Sequence, residues 1–119
     1  MRVFVDEYVN RRLMPHLIGQ TFIHAADTSW RGMKNGALLR TVAPDYDLFL
    51  TRDRNIPSQQ NLKLFPLAFV ILRARSNALA DLLPLVPRLR AVLDQISANA
   101  IMPGDLYEVS PRSSRAPLP

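Results

Sequence analysis

A doubly wound α/β domain, with a parallel sheet covered by helices on both faces, is the fold class this sequence predicts. Five short runs read as strands: Val3–Val5, Thr21–Ala25, Leu48–Thr51, Leu67–Leu72 and Leu106–Val109. Most are apolar throughout rather than alternating, the pattern of strands buried on both faces. Helical periodicities separate them, as crossover connections between parallel strands require. The chain has 119 residues and a hydrophobic share of 48%, enough for one domain with a core of its own.

The elements follow in order. Val3-Phe4-Val5 starts almost at the first residue, and Asp6 after it is placed to cap a helix. Tyr8, Val9, Leu13 and Leu17 recur at helical spacing, with Gly19 as a stop and Pro15 as a bend. After the second strand, Asp27 to Gly36 is loop-like, and a helix is expected from Asn35 to Ala43, closed by Pro44-Asp45. The third strand ends at Thr51, and a short helix is expected from Ser58. Leu67–Leu72 is dense in apolar residues and is expected to be central. Ser76 is placed to cap the next helix. The stripe from Leu79 to Ile96 contains Pro84 and Pro87, which predicts a break near Leu83 and a second helix to about Ala98. Pro103-Gly104 turns the chain into the last strand. Residues 1–110 form one domain in this reading, and 111–119, rich in Pro, Ser and Arg, form a disordered tail.

Composition narrows the function. There is no cysteine, which excludes disulfides and thiolate zinc sites. The first residues meet acid at once, unlike a signal peptide, and no apolar run is long enough to span a bilayer. A soluble, cytoplasmic protein with no membrane partner is the expectation. Fifteen Lys and Arg against ten Asp and Glu give a net charge of +5, which favours a polyanion such as RNA.

The chemistry is expected beyond the carboxyl ends of the strands, at the switch point in strand order. Asp6 follows the first strand and Asp53 the third. With strand order 2-1-3-4, these ends are neighbours and the two carboxylates converge, with Glu7 nearby. Paired carboxylates suit Mg²⁺ or Mn²⁺, and Arg52 and Arg54 beside Asp53 suit phosphates. The plainer alternatives are a helix cap for Asp6 and a surface ion pair for Asp53. His16 and His24 lack partners at metal-ligand spacing. Gly32 and Gly36 form no phosphate loop, no serine nucleophile elbow is present, and Trp30 reads as a cover for the core edge.

The runs "VFVDEYV", "WRGMKNGALL", "DLFLTRDRNIPSQQNL", "AFVILRARSN" and "LLPLVPRL" occur in this order across residues 1–109. Together they resemble the small PIN-like proteins of the VapC-related, toxin-like kind. The resemblance implies a three-layer α/β/α sandwich, a Mg²⁺- or Mn²⁺-dependent ribonuclease, and a toxin held by a cognate antitoxin. A homodimer is a further expectation. The family's first acid matches Asp6 and the acid of its "T-x-D" run matches Asp53, so these two are the expected metal ligands. The second and fourth acids fall on Asn35 and Asn55, and Glu7 is left as an auxiliary catalytic group. Lys34 adds positive charge beside Asn35. Around this centre, Lys34, Asn35, Arg52, Asn55, Gln59, Gln60, Arg75, Ser76 and Asn77 are the expected substrate contacts. Amides carry no charge and make poor bases, so the alternative is a degenerate PIN-like module that binds RNA or a protein without hydrolysis.

Overall fold

The structure is a computed structural model that describes residues 1–111 and 114–115. Its strands are β1 (Arg2–Val5), β2 (Thr21–His24), β3 (Leu48–Thr51), β4 (Ala68–Leu72) and β5 (Leu106–Val109). They lie side by side in the order β2-β1-β3-β4-β5, all parallel. The helices are α1 (Asn35–Val42), α2 (Ile56–Gln59), α3 (Leu79–Leu82) and α4 (Val86–Ser97). The predicted class, strand order and central position of β4 are all present.

Alternation along the strands divides two cores. Val3, Val5, Leu48, Leu50, Ala68, Val70 and Leu72 face an aliphatic core roofed by α3 and α4. Phe4, Phe49, Phe69 and Ile71 face the opposite core with Leu38, Leu39 and Val42 of α1. Register makes the second face a row, because Phe4 pairs with Phe49, Phe49 with Phe69, and Phe69 with Leu106. The Phe4 and Phe49 rings lie 6.1 Å apart at 11°, and Phe49 meets Phe69 at 6.2 Å. Trp30 packs on Phe4 at 6.0 Å and covers the edge of this core. Burying both strand faces explains why the sequence reads as apolar runs.

Several local expectations are corrected. No α-helix follows Tyr8. The segment turns and then forms a 3₁₀ helix over Arg11–His16. Asn10, not Asp6, is its cap: the Asn10 side chain accepts the Arg12 N–H. Pro15 inside this segment has no N–H to donate, which denies the regular α ladder. α2 begins at Ile56, two residues earlier than expected, with Pro57 in its first turn, where a missing N–H costs nothing. Ser76 is not the cap of α3. Its Oγ accepts the Ala78 N–H and donates to Asp81. The break near Leu83 is a 3₁₀ turn, Leu83–Leu85, and α4 runs from there to Ser97.

The tail differs in part from the expected disorder. Arg112, Ser113 and residues 116–119 lie outside the described residues. Ser114–Arg115 form a short β6, antiparallel to β5 at the sheet edge. Among the described residues, no helix is long and apolar enough to cross a membrane.

Candidate functional site

β1 and β3 are neighbours, yet the chain places β2 beyond one and β4 beyond the other, so the switch point falls between them. Asp6 extends the ladder past β1, its N–H donating to the Leu50 carbonyl at 2.9 Å. Asp53 stands two residues beyond β3. Asn35 opens α1. Asp6, Tyr8, Asn35, Arg52 and Asp53 line one crevice of about 280 Å³.

Asp6 forms its floor and is only 4% exposed. The Thr51 hydroxyl donates to Asp6 Oδ2 at 2.8 Å. That same Thr51 oxygen accepts the Asp53 N–H at 3.0 Å. Asp53 Oδ1 accepts the Asn55 N–H at 2.9 Å, and Asp53 Oδ2 accepts from the Asn35 amide at 3.3 Å. Burial pushes the Asp6 carboxyl above its ordinary range. The Thr51 hydrogen bond opposes this, and the charges of Glu7 and Asp53 add to it. Arg52 lines the crevice, and its Nε is buried beneath the surface with no hydrogen-bond partner. Tyr8 stands at the crevice 71% exposed.

The other expected contacts disperse. Glu7 is tied outward, its Oε1 accepting the Gly32 N–H at 2.7 Å, and it does not line the crevice. Lys34 precedes α1 and is exposed. Asn55 contributes its backbone, with an exposed side chain. The Gln60 side chain lies over Gly36, at the start of α1, while Gln59 lines a separate groove. Arg75 is exposed and outside the crevice. Asn77 is a clamp: its Oδ1 accepts the Asn10 N–H at 3.0 Å and its carbonyl accepts from the Asn10 amide at 2.9 Å. Ser76 is spent on the start of α3. His24 is buried between the Val9 carbonyl and the Ala26 N–H, a structural role.

Two residues of the site escaped the sequence reading. Thr51 looked like the polar end of a strand, and the signal was its position two residues before Asp53. Tyr8 was counted in a helical stripe that does not form. Its place two residues after Asp6 was the available signal.

The crevice offers two carboxylates, so a single hard cation would need water to complete its shell. Two carboxylates meet in a crevice with room for water, and their mutual repulsion is the charge imbalance a cation relieves. This set does not fit two cations. Among the described residues, no group of three or more His, Asp and Glu converges. No protein-family model, curated protein or solved structure matches the chain.

Proposed function

We propose that this is a PIN-like, ribonuclease-like protein whose crevice binds an RNA strand and one Mg²⁺ or Mn²⁺ ion held by Asp6 and Asp53. The observation that carries the reading is the convergence of these two carboxylates with Arg52 and Tyr8 at the switch point. A bound cation would supply charge neutralisation at a phosphate and a water of lowered pKa. The residues supply the rest. Arg52 lines the crevice and offers its positive charge to a phosphate oxygen. Tyr8 offers an exposed ring to a base. Asp6, held by the Thr51 hydroxyl on the crevice floor, would present a carboxylate oxygen to the cation. The resemblance in sequence extends this to the toxin half of a cytoplasmic toxin–antitoxin pair.

A second reading, RNA binding without hydrolysis, is favoured by one specific contact. The Asn35 amide donates to the Asp53 oxygen that a cation would use. Calorimetric titration of Mn²⁺ into the wild type and Asp53→Asn separates the two, alongside RNA cleavage by protein free of contaminating nuclease. The nuclease reading expects saturable binding and cleavage, both lost in the variant. RNA binding with neither metal uptake nor cleavage establishes the second.

A further inference from the structure

Outside the crevice, a larger groove of about 690 Å³ runs beside α2. Its polar lining comes from Ser58, Gln59, Gln60, Asn61 and Lys63, with Gly104 opposite. Gly104 has φ +80°, and a Cβ there would stand 2.8 Å from the Lys63 backbone nitrogen. The turn that starts β5 is thus pressed against the chain at Leu62–Lys63, and only glycine permits that approach. Its N–H donates to the Leu67 carbonyl at 3.1 Å, which fixes this wall.

Gln60 joins the groove to the crevice. It lines the groove, and a Cβ at Gly36 would lie 3.3 Å from its Oε1. Gly36 directly follows Asn35, which lines the crevice. The groove residue Gln60 thus lies against the residue next to Asn35, which brings the two depressions to the same start of α1. The crevice lies just below the range of about 300–1,000 Å³ that holds drug-sized ligands, and the groove lies well inside it.

We infer that the groove is the continuation of the RNA path, taking the nucleotides next to the one held in the crevice. This rests on the RNA-binding reading of the crevice and extends it to a site several nucleotides long. The lining matches the ligand. Side-chain amides present a donor and an acceptor together, which suits the exposed edges of unpaired bases. Lys63 is exposed and supplies a cation for one backbone phosphate. A single strand can follow a bent path of this kind, whereas a duplex cannot splay its bases into it.

Fluorescence anisotropy in EDTA, with labelled oligouridylates of two and eight nucleotides, tests this. The proteins compared are the wild type, the double variant Asn61→Ala/Lys63→Ala and Tyr8→Ala. Both residues of the double variant are exposed, so the fold is not at risk. The wild type is expected to bind the octamer about tenfold or more tighter than the dimer, the sum of a few modest hydrogen bonds and one phosphate contact. The double variant should lose that gain and keep the dimer affinity. Its octamer salt dependence should be shallower by about 0.7 in log–log slope, one phosphate's worth on a single strand. Equal binding of both oligomers, or a double variant that binds the octamer like wild type, overturns the groove. If Tyr8→Ala still weakens both oligomers in that case, the crevice reading stands. Failure of the wild type to bind either oligomer, both in EDTA and with Ca²⁺ in place of the catalytic cation, overturns both.

Discussion

The Thr51 hydroxyl donates to Asp6 Oδ2 at 2.8 Å, and both residues are buried. The same oxygen takes the Asp53 N–H, so one side chain on β3 fixes both acids of the crevice. Thr51→Val keeps the shape and removes the hydroxyl. A buried acceptor left without its donor costs about 1–3 kcal/mol. The variant's unfolding free energy should fall by that amount, seen as a lower urea midpoint with an unchanged m-value. A midpoint equal to wild type would mean that Thr51 is not what holds Asp6.

Asp6 predicts a pH dependence with a definite sign. Burial, first, and neighbouring acids hold its folded pKa above 3.8, against the Thr51 bond. A carboxyl raised in the folded state contributes full stability below the unfolded pKa. That contribution is lost as pH rises through the folded pKa. Asp6→Asn removes the titration while keeping an acceptor for Thr51. Its stability relative to wild type should therefore increase between acid and neutral pH, measured by urea unfolding at several pH values. A difference that stays flat, or falls, contradicts the raised pKa.

Much of this architecture was legible because burial on both faces leaves a plain signature. β3 and β5 begin and end at the residues expected, and Pro84 and Pro87 announced the break before α4. The segment after Tyr8 was misread because apolar spacing there serves packing of a non-α turn: Leu13 and Leu17 are buried all the same. At the site, the pairing of Asp6 with Asp53 followed from strand order alone. The partners of Asn77, Glu7 and Gln59 did not. Those side chains are set by loops folding back on one another, across 67 residues for Asn10 and Asn77, and no local pattern encodes that distance.

The clamp gives a prediction of its own. Asn77→Ala deletes the acceptor for the Asn10 N–H but leaves the backbone carbonyl for the Asn10 amide. The loss should be about 0.5–1.5 kcal/mol of stability, the net worth of one hydrogen bond. RNA affinity, measured well below the unfolding transition, should not change. Weakened RNA binding with unchanged stability would return Asn77 to the list of substrate contacts.

The aromatic row under the crevice offers a check on packing. Phe49 is fully buried between Phe4 and Phe69, at 6.1 Å and 6.2 Å between ring centroids. Phe49→Ala removes the middle ring and leaves a cavity between two strands. The expected loss is about 3–5 kcal/mol, the usual range for a buried phenylalanine. Phe49→Leu should cost much less, because it retains most of the apolar volume. Equal losses for the two would place the effect in something other than the cavity.

Asn35 decides what kind of crevice this is. Its amide donates to Asp53 Oδ2 at 3.3 Å, satisfying a carboxylate that otherwise faces Asp6. Asn35→Asp replaces that donor with a second negative charge at nearly the same distance. Two unit charges about 4 Å apart repel by about 1 kcal/mol in water and about 4 kcal/mol at an effective dielectric near 20. The metal-free variant should therefore melt lower at neutral pH and recover toward wild type in acid, where one carboxyl takes a proton. Mn²⁺ should reverse the loss, because a third carboxylate oxygen raises the charge offered to a hard cation. The expected result is a larger Mn²⁺-induced rise in Tm for Asn35→Asp than for wild type, at the same metal concentration. If Mn²⁺ leaves the variant's Tm unchanged, the crevice is not a metal site even with a third acid added. The proposal of RNA binding without a cation would then be the one left to test, with the Asn35 amide as a hydrogen-bond donor in the crevice.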